Sequence, residues 1–193
     1  MNADYLRRYV RDIPDFPRPG ILFRDITPLL ADHKALQMAV EAMAAPFAGQ
    51  GVDVVASAEA RGFIFAAPLA LQLGAGFVPI RKPGKLPFDR NSFRYELEYG
   101  ADELEVHVDG VAEGQRVLLV DDLLATGGTM EACCRLLEQC NAEIVGCSFL
   151  IHLVPLGGED RLSPYKSHSV LRYDEDDQEA ELSVQNRPPG PSV

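Results

Sequence analysis

The sequence predicts an α/β fold: a mostly parallel central sheet flanked by helices, with a flexible β flap set into it. Three observations carry this. Strand-like and helical segments alternate along most of the 193 residues, as they do when helices cross between parallel strands. The strand segments are short apolar runs such as "VDVVASA" and "RVLLVDD", which suits strands covered on both faces. One stretch, about residues 83–110, interrupts the pattern with polar, aromatic and turn-forming residues.

Taken in order, "DYLRRYVRDI" reads as a short amphipathic helix, and "PDFPRPG" breaks it with three prolines and a glycine. "DHKALQMAVEAMAAPFAGQ" is a helix capped by Asp32 and stopped near Gly49. "VDVVASA" is a buried strand running into "EARG". "GFIFAAPLALQLG", apolar nearly all round, predicts a buried helix ending at Gly74, and "GFVPIRK" a second strand. Alternation in "SFRYELEY" and "ELEVHV" predicts a two-stranded flap rather than core. "RVLLVDD" is a third strand, "GTMEACCRLLEQC" a helix, "AEIVGCSFLIHLV" a fourth strand and "SHSVLRYD" a fifth. Residues 1–173 therefore read as a single domain. Residues 174–193, acidic and then Pro-rich, read as a disordered tail.

Length fits one domain with a sizeable core. No apolar stretch reaches the roughly 18–20 residues that span a membrane, and the N-terminus lacks the apolar region of a secretory signal, so the expectation is a cytoplasmic protein with no membrane partner. Cys133, Cys134, Cys140 and Cys147 form no C-x-x-C pair and read as small buried thiols. Net charge is −11; the tail, with six acids and one arginine, accounts for −5 and leaves about −6 on the body. An acidic body is a poor non-specific partner for nucleic acid.

The chemistry concentrates in "VLLVDDLLATGGTM". Gly127 and Gly128 sit where a helix should begin. The first N–H groups of a helix lack internal partners and carry the positive end of its dipole, so the loop Ala125, Thr126, Gly127, Gly128, Thr129 is an anion cradle suited to phosphate. Asp121 and Asp122, just before it, accept hydrogen bonds from sugar hydroxyls. Loop and carboxylates together describe a ribose 5-phosphate. Neither G-x-x-x-x-G-K-[ST] nor G-x-G-x-x-G occurs, which excludes the two commonest alternative phosphate loops.

"VLLVDDLLATGGT" closely resembles the signature with which type I phosphoribosyltransferases bind phosphoribosyl pyrophosphate. "PDFPRPGILFRDITPLL", "EARGFIFAAPLA", "IRKPGKLP" and "YELEYG" look like segments of the adenine-specific members, in their order and spacing, over about residues 5–173. The resemblance implies the type I phosphoribosyltransferase fold. It also implies a purine-salvage reaction: adenine and phosphoribosyl pyrophosphate give AMP and pyrophosphate. Mg2+ is carried by the substrate, with no dedicated protein metal site. A homodimer is implied as well.

Residue roles follow from the same resemblance. Arg61, with Lys82 or Lys85, holds the pyrophosphate, and Tyr99 covers that side. Leu22 and Arg24 read adenine through their main chain, with Phe23 nearby and Leu123 packing from the other side. Arg61 and Glu98 are the catalytic candidates, Glu98 as a proton-transfer group near the purine imidazole nitrogens. A cis peptide bond is implied between Glu59 and Ala60. A flap that closes would exclude water from the ribosyl centre.

His33, His107, His152 and His168 share no evident role; His152 stands where the family often has an acid. Two competing readings exist. A transferase for xanthine or orotate requires the base segment to mislead. A regulator that keeps the fold as a ligand sensor would want a DNA-binding domain or a basic face, and this chain shows neither.

Overall fold

The computed structural model describes residues 3–97 and 100–175. In chain order the elements are α1 (Ala3–Arg7), β1 (Arg11–Ile13), β2 (Phe23–Asp25), α2 (Thr27–Ala31), α3 (His33–Ala44), β3 (Val54–Ala58), α4 (Gly62–Leu73), β4 (Gly76–Ile80), β5 (Arg90–Leu97), β6 (Gly100–His107), β7 (Arg116–Leu124), α5 (Gly128–Gln139), β8 (Glu143–Leu153), α6 (Gly158–Arg161) and β9 (Ser167–Tyr173). Five strands form the central sheet in the order β4-β3-β7-β8-β9, every pair parallel.

Strand alternation divides the core into two layers. On β7, Leu118 and Val120 join one buried cluster with Ala39 and Met43 of α3 and Phe65 and Leu69 of α4. Val117 and Leu119 join the other with Cys133, Cys134, Leu136 and Leu137 of α5. Both faces are thus covered, which explains why the strands read as continuous apolar runs. The Asp32 carboxylate caps α3 by accepting from the Ala35 amide at 2.8 Å. Gly74, in the left-handed conformation, ends α4. The four cysteines are free thiols; Cys134 and Cys147 bring their Sγ atoms within 3.8 Å of each other. Among the described residues no helix is long and apolar enough to cross a membrane.

Three expectations are corrected. The helix read over residues 4–13 stops at Arg7, and Arg11–Ile13 is instead a strand antiparallel to β2. Pro14 disfavours helix at Ile13, and the pairing sets Arg11 opposite Asp25 and Asp12 opposite Arg24, charges that attract across the ladder. Helix α4 is buried along one face only: Leu71 is 84% exposed and Ile64 is exposed too. The flap is the antiparallel hairpin β5–β6, but its root belongs to the core, since Leu104 and Val106 are buried with the α5 layer. The tail beyond residue 175 lies outside the described residues.

Candidate active site

The site opens at the carboxyl ends of β3 and β7, where adjacent parallel strands leave the sheet for helices on opposite faces. A cavity of about 330 Å³ lies there, walled by Ala58–Arg61, Lys82, Tyr95, Asp102, Leu104 and the run Asp121–Met130.

Its floor is the loop into α5. Gly127 has φ 78° and caps the helix, a conformation a side chain adopts only with strain. A Cβ there would also stand 2.8 Å from the Gly158 carbonyl. Gly128 opens α5 against the Arg161 guanidinium. The amide groups of the first turn therefore border the cavity without side chains in the way, with Thr126 and Thr129 exposed beside them. The geometry is that of an anion cradle.

Asp121 and Asp122 lie near the carboxyl end of β7, Asp122 two residues before its end at Leu124. Burial pushes the Asp121 carboxyl well above the usual carboxylate range, and the neighbouring Asp122 charge adds to this. Burial raises Asp122 as well, but the Arg61 guanidinium opposes it, with Nε 2.8 Å from Oδ2. The Asp122 amide donates to Asp121 Oδ1 at 2.9 Å. Two acids are thus held in a confined wall, facing a space where hydroxyl donors would be welcome.

Cations surround the other side. The Glu59–Ala60 bond is cis, as expected. Glu59 accepts from Arg81 Nε at 2.8 Å and from the Lys82 amide at 2.9 Å. Burial would raise the Glu59 carboxyl, yet these bonds hold it below its ordinary value. Lys82 Nζ lies 3.3 Å from Asp102 of the flap. Lys85 is exposed and lies outside the cavity wall, so of the two candidate lysines it is Lys82 that borders the cavity.

Phe23 and Arg24, expected from the sequence at the adenine, lie on β2. The Arg24 side chain turns into the protein, donating to Asp12 and lying 4.0 Å above the Tyr173 ring, which Arg7 approaches at 4.4 Å. Arg24 thereby ties β2 to the last sheet strand through its side chain. Phe23 borders a second cavity of about 400 Å³ with Ile13, Phe16, Ile26 and Leu30; Arg61 borders both cavities and its guanidinium sits 5.5 Å from the Phe23 ring centre. Leu123 lines the first cavity, while Leu22 is half-buried and lines neither. Glu98 and Tyr99 lie outside the described residues.

Sequence reasoning missed Glu59, Tyr95 and Asp102. Glu59 stood inside "EARGF" and could have been found as an acid wedged between a buried strand and an arginine. Asp102 carried no signal, being one acid among several in the flap.

The phosphoribosyl transferase domain family matches residues 29–186. An adenine phosphoribosyltransferase of Rhodopirellula baltica is 76% identical over 188 residues, covering 97% of this chain and 91% of the relative. The crystal structure of the adenine phosphoribosyltransferase of Thermoanaerobacter pseudethanolicus aligns with a TM-score of 0.86 at 49% identity, over 89% of this chain and 100% of that one. The Saccharomyces cerevisiae enzyme, solved with an iminoaltritol bisphosphate and adenine, aligns at 0.82 with 36% identity, over 88% and 98% of the two chains. The chain belongs to the adenine phosphoribosyltransferases, within the phosphoribosyl transferase domain family.

Proposed function

We infer that this chain does its chemistry in the cavity between β3 and β7, with the residues named from the sequence. The reaction is that of its family: adenine and phosphoribosyl pyrophosphate become AMP and pyrophosphate, a step of purine salvage. One observation carries the site assignment. The side-chain-free start of α5 and the Asp121–Asp122 pair share one cavity with Arg61 and Lys82.

In this reading Ala125–Thr129 bind the 5-phosphate and Asp121 and Asp122 hold the ribose hydroxyls. Positive charge grows on the ribose ring as the bond to pyrophosphate breaks. The two carboxylates favour that charge, while Arg61 and Lys82 favour the departing anion, so catalysis is mainly orientation and electrostatics. Lys85 serves from outside the wall by long-range charge. Main-chain groups of Leu22 and Arg24 read adenine, with Phe23 and Leu123 beside it. Glu98 handles the proton of the attacking purine nitrogen, and Tyr99 covers the pyrophosphate.

Mg2+ is proposed as a substrate-borne ion. The cavity's carboxylates are hard oxygen donors, but Asp122, Glu59 and Asp102 are engaged by Arg61, Arg81 and Lys82. That donor set suits a cation that takes most of its ligands from phosphate oxygens and water. When bound, Mg2+ would neutralise charge building on the leaving pyrophosphate.

Three further proposals complete the reading. Residues 1–173 act as one transferase domain with residues 174–193 as an appended tail. The protein works in the cytoplasm, where thiols like Cys134 and Cys147 stay reduced. It pairs as a homodimer; the exposed Ile64 and Leu71 of α4 supply apolar surface for such a contact. Sedimentation velocity of the full chain tests the last.

One assay tests the activity: pyrophosphate release with phosphoribosyl pyrophosphate, Mg2+ and each purine base in turn. Adenine-dependent release is the expected result. Hypoxanthine with a comparable kcat/KM would overturn the base assignment.

A further inference from the structure

Arg61 and Lys82, which border the cavity, and Arg81 behind them each have a carboxylate partner, but the three pairs are not alike. Arg61, itself 45% exposed, meets the buried Asp122, and Arg81 meets the half-buried Glu59, both at 2.8 Å. Those pairs join residues at the carboxyl ends of neighbouring strands of the central sheet. The third joins the loop after β4 to the flap: Lys82 Nζ to Asp102 Oδ2 at 3.3 Å, with 56% and 28% of the side chains exposed.

The Asp102 carboxylate is aimed. Oδ1 accepts from the Glu103 amide at 2.9 Å, which leaves Oδ2 for Lys82. The strand beneath is fixed. Glu105, buried, exchanges two backbone hydrogen bonds with Arg81 and accepts side-chain bonds from Arg90 Nε at 2.7 Å and the Gly84 amide at 3.2 Å. Asp102 lies three residues further toward the hairpin tip and lines the cavity together with Lys82. Lysine suits an exchangeable contact, being a compact charge on a flexible stem, and solvent screens a half-exposed pair.

We propose that Asp102 is an internal competitor for Lys82: it occupies the ammonium that a pyrophosphate group must take, and so sets how tightly that group binds. This rests on the reading of Lys82 as a pyrophosphate ligand. A binding group that must first displace another loses apparent affinity in proportion to the fraction of sites so occupied. Asp102 is then a positioning residue that lowers affinity, and in doing so eases the release of pyrophosphate as product.

The test is calorimetric titration of inorganic pyrophosphate into the full chain, with and without Mg2+, across a double-mutant cycle. Asp102→Asn should tighten binding about 3–10-fold under both conditions, in line with removal of a competing state. Asp102→Glu should stay close to the parent. In a Lys82→Ala background, Asp102→Asn should change nothing. Unchanged or weaker binding by Asp102→Asn overturns the proposal, and weakening seen only with Mg2+ would mark Asp102 as facing the metal instead. Equal tightening in the Lys82→Ala background also overturns it, because the effect would then be general charge removal. If Lys82→Ala alone leaves pyrophosphate binding intact, the ligand reading of Lys82 is what fails. Circular dichroism of each variant confirms that it is folded.

Discussion

Gly62 lies flush against Asp121: a Cβ on the glycine would stand 2.7 Å from the Asp121 Oδ1 atom. It would come closer still to Ser57 Oγ, and within 3.1 Å of the Val120 carbonyl. The start of α4 therefore packs onto the end of β7 only without a side chain. Gly62→Ala should destabilise the protein by about 1–3 kcal/mol through overpacking. Because Asp121 must shift, KM for phosphoribosyl pyrophosphate should rise with it. Urea unfolding and steady-state kinetics check both. Parental stability with parental KM would mean that the contact relaxes freely.

Gly127→Ala carries two penalties, a φ of 78° and a Cβ 2.8 Å from the Gly158 carbonyl. The backbone term alone costs about 1–3 kcal/mol. Gly114 is the control: its φ is 76° and nothing lies within 4 Å of its Cβ position. Gly114→Ala should lose stability yet keep the parental KM for phosphoribosyl pyrophosphate. Gly127→Ala should lose both. If the two variants bind substrate equally well, the α5 loop is not the phosphate cradle.

Asp121 should trade stability for function. Burial, then Asp122, raises its carboxyl in the folded state, whereas the unfolded chain ionises near pH 3.9. Below that value both states are protonated and Asp121 contributes nothing. As pH rises, the unfolded state loses its proton first, so stability falls until the folded carboxyl also ionises. Asp121→Asn should therefore be more stable than the parent at pH 7, with the difference vanishing below about pH 3–4. The same variant should bind phosphoribosyl pyrophosphate less well. Urea unfolding across pH reads the first effect, and a less stable variant at pH 7 would refute it.

The sheet was legible in the sequence because both its faces are covered, so each strand is a short apolar run with little else to be. The glycine-led start of α5 was legible because Gly127 takes a left-handed φ and Gly128 packs a bare Cα beside Arg161, leaving a mark no ordinary turn needs. The end of α1 was not legible. "YVRDI" keeps a helical pattern of charge and apolarity, and only pairing with the distant β2 makes Arg11–Ile13 a strand. Arg24 was read for its main chain; that its side chain stacks on Tyr173 depends on a contact about 150 residues away along the chain. Asp102 was illegible for a similar reason, since its ion-pair partner Lys82 stands on a different loop.

His152 should make the fold sensitive to mild acid. It is buried at the end of β8, neither ring nitrogen has a hydrogen-bond partner, and the Glu159 carboxylate stands 3.9 Å from Nδ1. Burial lowers its pKa and the Arg172 charge acts the same way; Glu159, Asp174 and Asp160 oppose without prevailing. The folded protein therefore keeps a neutral imidazole below about pH 6.5, where the unfolded chain takes up a proton. The unfolded state then binds more protons, so stability falls as pH drops through 6.5 toward the folded value. His168, lowered mainly by burial, adds a second slope of the same sign. In urea unfolding between pH 7.5 and pH 5, His152→Gln should lose less stability than the parent on acidification, and the variant also carrying His168→Gln should lose less again. Slopes parallel to the parent's would mean that His152 titrates alike in both states, and a steeper loss in the variant would mean that Glu159 holds it as an imidazolium.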